Sequence, residues 1–124
     1  PGNGGSQIEA KLDKPEVVHY FCDRKTEDYF SLWLNLALLV PYAVDCWTDN
    51  MRLVYDNVTR KTSNAPGVFT RIPNFGNTTA IEFIDPSQLA VSKYFSELAN
   101  DLILRGYRRG IDLRGAPYDF RKSP

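Results

Sequence analysis

The chain opens with the stretch PGNGGSQIEAKL, residues 1–12. Three glycines within residues 2–5 predict a tight turn, because glycine adopts left-handed backbone angles at no steric cost. Such a turn can also leave its backbone N–H groups free to receive an anion or a carbonyl oxygen. A tight turn is the simpler interpretation, and a functional backbone donor is the alternative. Because a glycine-dense turn normally follows a buried strand, we expect further chain to precede Pro1.

Three segments have the composition of helices. Residues 7–12 mix polar with apolar side chains, and we interpret them as the start of a helix that Lys14-Pro15 stops. Residues 29–40 are apolar on nearly every helical face, follow the N-cap residue Thr26 and precede Pro41, so they predict a helix that is buried or pressed against lipid. A third helix is expected to begin at residues 85–87 and to end near Gly106.

Five short segments rich in β-branched and aromatic residues predict strands or extended chain. They are residues 17–21, 52–55, 68–72, 80–84 and 111–114. A polar loop is expected over residues 57–67, and residues 73–77 predict a turn. Strands separated by helices, without internal repeats, favour the α/β class.

Length and charge limit the classes of function. The 124 residues suffice for one domain, and 43% hydrophobic content excludes wholesale disorder. A formal net charge of zero excludes recruitment of nucleic acid by bulk charge. A local basic cluster sets Arg105, Arg108, Arg109, Arg114, Arg121 and Lys122 against Asp112 and Asp119. We interpret this cluster as a solvated face with structural ion pairs, and a patch for anionic headgroups is the alternative.

Cysteines and glycosylation sequons point to a compartment. The cysteines are Cys22 and Cys46, and Asn-X-Thr sequons begin at Asn57 and Asn77. Either cysteine could be an inert buried thiol, but the combination favours the secretory pathway, where a Cys22–Cys46 disulfide persists. Such a bond closes a loop of about 25 residues and stabilises the fold by roughly 3 kcal/mol.

A complete catalytic site is not found in these residues. There is no Gly-X-Ser-X-Gly elbow, and the nearest stretch, residues 4–8, lacks the second glycine. A triad of Ser6, His19 and an Asp has no support from spacing, and we interpret His19 as a packed or edge residue. One histidine and two cysteines are too few for a typical zinc site, so no metal is expected. The longest apolar run, residues 36–44, is about half of a membrane span.

Many stretches resemble one family in order along the chain. They are PG (1–2), GSQIEAKLDKP (5–15), RKTEDYF (24–30), WL (33–34), VDCW (44–47), DN (49–50), Arg52, Val54, Tyr55, NAPGV (64–68), Pro73, FG (75–76), GAPYD (115–119) and Arg121. Together they closely resemble the lecithin:cholesterol acyltransferase and lysosomal phospholipase A2 (1-O-acylceramide synthase) family. His19-Tyr20, Arg109-Gly110 and Arg114-Gly115 are more similar to the phospholipase branch.

The resemblance implies that residues 1–124 are the N-terminal portion of an α/β-hydrolase. Such an enzyme cleaves the sn-2 ester of a phospholipid through a Ser-Asp-His triad and passes the acyl group to a sterol, to ceramide or to water. It needs no metal or redox cofactor. The resemblance places the triad beyond Pro124, so this portion alone is expected to be inactive. It implies a lysosomal or extracellular protein that works at a bilayer or lipoprotein surface and binds no nucleic acid.

The resemblance also implies roles for individual residues. Asn3 falls at the first oxyanion-hole position, where the backbone N–H faces the substrate carbonyl oxygen; the family carries Asp or Cys there. Cys22 and Cys46 match a disulfide that tethers a lipid-docking loop, residues 22–46, and Trp33 and Leu34 are expected on its lipid-facing surface, with core packing as the alternative. Asn57 and Asn77 remain candidates for N-glycosylation.

Some positions depart from the family pattern. Asn74 replaces the first glycine of a Gly-Phe-Gly motif, which requires Asn to adopt a left-handed φ. Phe120 replaces a Trp, and we interpret the neighbouring Asp119 and Arg121 as structural. Two alternatives to the enzyme follow: a non-catalytic lipid-binding module, and a divergent member with an inactive site, for which Asn3 and Asn74 are the hints.

Overall fold

The centre of the molecule is a three-stranded antiparallel sheet. The structure is a computed structural model that describes residues 1–122. Strand β1 (Ile8–Leu12) lies between β2 (Phe30–Trp33) and β5 (Val68–Arg71). The remaining elements are α1 (Val44–Met51), the hairpin strands β3 (Leu53–Asp56) and β4 (Lys61–Asn64), α2 (Thr79–Glu82) and α3 (Ser96–Leu104). Short 3₁₀ helices cover Leu36–Leu39 and Ala90–Ser92.

The helix predicted at residues 7–12 is wrong, because this stretch is the central strand β1. Ile8, Ala10 and Leu12 are fully buried, whereas Glu9 and Lys11 lie between them on the other face. This alternation has the period of two that is typical of a half-buried strand. Residues 7–12 are also good helix formers, but pairing on both edges outweighs that local preference.

The helix predicted over residues 29–40 is also wrong. The first part is β2, which pairs with β1 and buries Leu32. A one-turn 3₁₀ helix follows, capped by Asn35, whose side-chain oxygen accepts a hydrogen bond from the Ala37 N–H. The α-helix of this region, α1, comes later and was not predicted. Trp47 of α1 donates its indole N–H to the Leu32 carbonyl at 2.9 Å, which fixes α1 on β2.

Most predictions for the middle of the chain are confirmed. The strands predicted at residues 52–55 and 68–72 are confirmed as β3 and β5, and the turn at residues 73–77 is confirmed, with Asn74 at φ +57°. Within the predicted loop 57–67, however, β4 pairs with β3 as a hairpin. Residues 17–21 are not a strand but bends and turns, and no strand within residues 1–122 pairs with them.

The last third differs most from the sequence predictions. Residues 80–84 are not a strand: α2 covers Thr79–Glu82, and the Thr78 hydroxyl bonds the Glu82 carboxylate one turn later. The third helix begins at Ser96 rather than at residues 85–87. It ends as predicted, because Gly106 has φ +99° and the N–H groups of residues 106 and 107 bond the Ile103 and Leu102 carbonyls. Residues 111–114 form a turn rather than a strand.

Helices and strands together are consistent with the α/β class. The core contains small and medium apolar side chains, namely Ile8, Ala10, Leu12, Leu32, Ala65 and Val68. Around it pack four large aromatic rings, those of Phe30, Trp33, Trp47 and Phe120. Within residues 1–122, no helix has both the length and the apolarity to cross a bilayer.

Arg121 ties the end of the described chain to the core. Its guanidinium bonds the Asp119 carboxylate at 2.8 and 2.6 Å and also reaches the Met51 carbonyl, Asn64 and Thr70. Only 6% of the Arg121 side chain is exposed. Burial opposes ionisation of Asp119, but hydrogen bonds and charge from Arg121 outweigh it and hold the pKa of Asp119 below its usual range. The structural interpretation of this pair therefore agrees with its contacts.

We expect Asp119→Asn to destabilise the protein by roughly 2 kcal/mol at pH 7, because Arg121 loses its buried counter-charge. A pKa lowered in the folded state stabilises the fold above the unfolded pKa of about 3.9, and the benefit disappears as the pH falls through the folded pKa. The difference in Tm between wild type and variant should thus be constant from pH 7 to 5 and shrink below pH 4. Asp28→Asn, which alters an exposed carboxylate, is the control. A difference independent of pH would contradict this account.

Candidate functional site: the opening turn and its surroundings

The glycine-rich opening folds into a tight turn, as predicted. The Gly5 N–H donates to the Gly2 carbonyl at 3.0 Å, so Gly2 and Gly5 are the first and last residues of a β-turn. Gly4 has φ +75°, and Asn3 does not have a positive φ. Positive φ at only the third position is the signature of a type II turn, which explains the glycine there. Asn3 occupies the second position and is exposed.

The turn determines where the Asn3 N–H points. A trans peptide is planar, with its C=O and N–H on opposite sides. The Gly2 carbonyl points into the turn to meet the Gly5 N–H, so the N–H of the same peptide, that of Asn3, points outward. Within residues 1–122 the Asn3 N–H has no hydrogen-bond partner. The predicted oxyanion-hole residue is therefore an exposed residue with an unused backbone donor.

One side of the turn is held by Trp33. Its indole N–H donates to the Gly4 carbonyl at 2.9 Å, and the ring lies against Gly4. The ring is half-buried and packs on Trp47 and Phe120, with centroids 6.0 and 5.6 Å away. The structure thus places Trp33 between the turn and the core. These contacts are those of a residue packed against the core, which was the alternative to lipid docking for Trp33.

The other side of the turn is held by Tyr94. The Gly2 N–H donates to the Tyr94 hydroxyl at 3.1 Å, across 92 residues of sequence. The Tyr94 ring lies so close that a Cβ on Gly5 would be 2.6 Å from Cε1. Tyr94 itself is fixed by its own N–H, which bonds the Glu82 carbonyl at 2.9 Å, and by Phe95, whose ring centroid is 4.3 Å away. Sequence reasoning missed Tyr94, which lies within the third predicted helix and was given no role of its own.

Ser6 and His19 do not form a catalytic pair. Ser6 is fully buried, and its hydroxyl accepts a hydrogen bond from the Tyr118 N–H. His19 lies instead in the 17–21 segment, where its Nε2 is 3.0 Å from a carboxylate oxygen of Asp45, and its ring stacks on Phe21. The edge position expected for His19 agrees with this placement.

The Cys22–Cys46 disulfide is present and joins the residue that follows the 17–21 segment to α1. It closes residues 22–46, which include β2 as well as irregular chain. Leu34 is half-buried there, and its N–H bonds the Ile84 carbonyl. The exposed apolar side chains on or beside this loop are instead Val18, Tyr20, Phe21, Tyr29, Leu36, Leu39 and Tyr42. Tyr20 is 97% exposed and Tyr42 is 75% exposed.

The basic cluster contains ion pairs, as predicted. Arg108 pairs with Asp112, and Lys122 and Arg121 with Asp119. Arg109 makes a two-pronged contact with Glu82 at 2.6 and 2.9 Å. This contact, together with the Thr78 hydroxyl, outweighs burial and lowers the pKa of Glu82. The pair fixes α2, whose Glu82 carbonyl holds Tyr94.

Both sequons lie on the surface. Asn57 is in the exposed turn of the β3–β4 hairpin, and Asn77 is exposed just before α2. The Asn77 side-chain oxygen accepts a hydrogen bond from the Thr78 N–H at 2.7 Å. Glycosylation at either position stays a prediction.

Comparison with known proteins now identifies the family. The family model described as lecithin:cholesterol acyltransferase matches residues 29–124. The chain belongs to the lecithin:cholesterol acyltransferase family. Over all 124 residues it is 55% identical to the lysosomal phospholipase A and acyltransferase of Homo sapiens. It is 52% identical to the phosphatidylcholine-sterol acyltransferase of Gallus gallus and 50% identical to that of Homo sapiens, again over 124 residues. The predicted family is confirmed.

The match covers only part of these relatives. The 124 residues are 30% of the length of the human lysosomal protein and 28% of that of the human phosphatidylcholine-sterol acyltransferase. The match places the chain in the family, but the activities named for its longer relatives are not thereby properties of this chain.

Proposed function

We propose that this chain is the oxyanion-hole and lipid-docking portion of a phospholipase and phospholipid O-acyltransferase with an α/β-hydrolase fold. The observation that carries the proposal is the type II turn with its outward, unpartnered Asn3 N–H. Similarity over the whole chain to a protein named lysosomal phospholipase A and acyltransferase supports it. The working compartment would be the lysosome or the extracellular space, which suits the disulfide.

The proposed reaction uses groups from two parts of the protein. A serine outside residues 1–124, activated by His and Asp, would attack the sn-2 carbonyl carbon of a phospholipid, and the carbonyl oxygen would take up negative charge. The Asn3 N–H would stabilise that charge without reorganisation, because the turn already aims it outward. Collapse of this intermediate would break the sn-2 C–O bond and release the lysophospholipid, which would take the proton held by the His, and would leave an acyl-serine. The hydroxyl of a sterol, ceramide or water, deprotonated by the same His, would then attack the acyl-serine, take the acyl group and free the serine.

Substitution of Asn3 tests this role sharply. Proline is favoured at the second position of a type II turn, so Asn3→Pro should keep the turn and delete only the N–H. In the full-length protein we expect hydrolysis of phosphatidylcholine vesicles to fall by about 10²- to 10³-fold with no change in Tm. Asn3→Ala keeps the N–H and is the matched control, with activity near that of wild type.

The outcomes separate the possible functions. Equal activity in Asn3→Pro and Asn3→Ala would exclude Asn3 as the donor. A full-length protein that binds vesicles but neither hydrolyses phospholipid nor reacts with a fluorophosphonate would indicate the non-catalytic lipid-binding module instead.

Lipid docking is proposed for the exposed side chains around the disulfide rather than for the ring of Trp33. Each outward apolar side chain that enters lipid contributes up to about 1.5–3 kcal/mol. Leu36, Leu39 and Tyr42 follow β2, and Tyr20 and Phe21 precede Cys22. Because the disulfide and the His19–Asp45 pair join these two segments, the loop can present both as one tethered unit. Leu34 would contribute less to lipid binding, because its side chain is half-buried.

We expect the double variant Tyr20→Ser and Tyr42→Ser to bind phosphatidylcholine vesicles about tenfold more weakly in co-sedimentation, because both exposed rings would lose lipid contact. Tyr55→Ser is the matched control, since Tyr55 is 62% exposed but lies on the β3–β4 hairpin. An equal loss in the control, or no loss in the double variant, would argue against docking through this loop.

A further inference from the structure

We infer that Trp33 and Tyr94 are positioning residues that clamp the opening turn from its two sides and thereby hold and polarise the Asn3 N–H. This inference rests on the proposed function, since it concerns the donor that the proposed reaction uses. Trp33 reaches the turn from β2, and Tyr94 reaches it from the segment before α3. Neither side chain touches Asn3 through a hydrogen bond, so both act through the turn.

The contacts form one directed chain of hydrogen bonds. The Trp33 indole N–H donates to the Gly4 carbonyl at 2.9 Å. The Gly4 carbonyl shares its peptide group with the Gly5 N–H, which donates to the Gly2 carbonyl at 3.0 Å. The Gly2 carbonyl shares its peptide group with the Asn3 N–H, which has no hydrogen-bond partner within residues 1–122. Each carbonyl that accepts a hydrogen bond polarises the N–H of its own peptide, so the chain strengthens the last donor.

Tyr94 fixes the beginning of the turn. It accepts the Gly2 N–H, which belongs to the peptide just before the one that carries the Asn3 N–H. Its ring fills the space over Gly5, so a side chain there would collide with it. With Gly2 held on this side and Gly4 on the Trp33 side, the intervening peptide cannot rotate freely.

Both clamping residues are themselves held by packed elements. Trp33 lies between Trp47 of α1 and Phe120. Tyr94 is bonded through its backbone to Glu82 of α2, which Arg109 grips with two hydrogen bonds. An oxyanion-hole donor has to be preorganised, because reorganisation during the reaction would consume the stabilisation that it offers. The clamp supplies that preorganisation to an otherwise exposed N-terminal turn.

The test uses the full-length protein with phosphatidylcholine vesicles and a fluorophosphonate. Tyr94→Phe removes one hydroxyl and keeps the ring, and Trp33→Phe removes the indole N–H and keeps an aromatic side chain. For each we expect kcat and the rate of fluorophosphonate labelling to fall about 3- to 10-fold, with KM and vesicle binding within twofold of wild type. Tyr107→Phe is the control, because within residues 1–122 the Tyr107 hydroxyl makes no hydrogen bond.

A purely structural role would lower Tm without this selective change in kcat, and a lipid-docking role of Trp33 would raise KM and weaken vesicle binding. Either pattern overturns the inference, as do variants with wild-type kcat. Should Trp33→Phe fail to fold, Tyr94→Phe decides alone. An inactive and unlabelled wild-type protein would overturn the proposed function and this inference together, whereas an active wild type with unaffected variants overturns the inference alone.

Discussion

The hydrogen bond from the Gly5 N–H to the Gly2 carbonyl is the constraint on which the candidate site depends. It closes a turn that only a residue tolerant of positive φ, here Gly4, can complete. The planarity of the Gly2–Asn3 peptide then turns the Asn3 N–H outward. An ordinary backbone group becomes a directed donor through this geometry alone, so the proposed role of Asn3 does not depend on its side chain.

The turn does not stand alone, because β1 continues directly from it into the centre of the sheet. Ile8, Ala10 and Leu12 are buried between two partner strands, and the Gln7 N–H bonds the Ala80 carbonyl just before β1 begins. The same strand pairing brings Trp33 from β2 beneath the turn. The proposed lipid-docking segment, which follows β2, is therefore linked to the proposed oxyanion donor through Trp33.

Features set by the backbone preference of a single residue could be predicted from the sequence, whereas features set by contacts between distant residues could not. The opening turn, the end of α3 at Gly106 and the turn at Asn74 follow from backbone preferences of single residues, and they were predicted correctly. Residues 7–12 were assigned to a helix because Glu, Ala, Lys and Leu favour helices, whereas their alternation of buried and exposed positions is typical of a strand. Only pairing with β2 and β5, which are distant in sequence, decides between the two.

The residues of the candidate site divide in the same way, into those found from local sequence and those found only from tertiary contacts. Asn3 and the cysteine pair followed from resemblance to the family, because each lies in a recognisable stretch of sequence. Tyr94 could not be found that way, since its contact with Gly2 spans 92 residues and leaves no local pattern. The resemblance implied a lipid-facing surface for Trp33 and left core packing as the alternative, because an apolar run is compatible with either. Its indole hydrogen bond to Gly4 is a tertiary contact that no periodicity reveals.

The most direct test of the central claim is a crystal structure of the full-length protein inactivated by a fluorophosphonate, whose tetrahedral phosphorus resembles the charged intermediate. The account predicts a phosphonyl oxygen about 2.7–3.1 Å from the Asn3 backbone nitrogen, with the Gly2–Gly5 turn unchanged. A phosphonyl oxygen bound by other donors, with the Asn3 N–H directed to solvent, would contradict it.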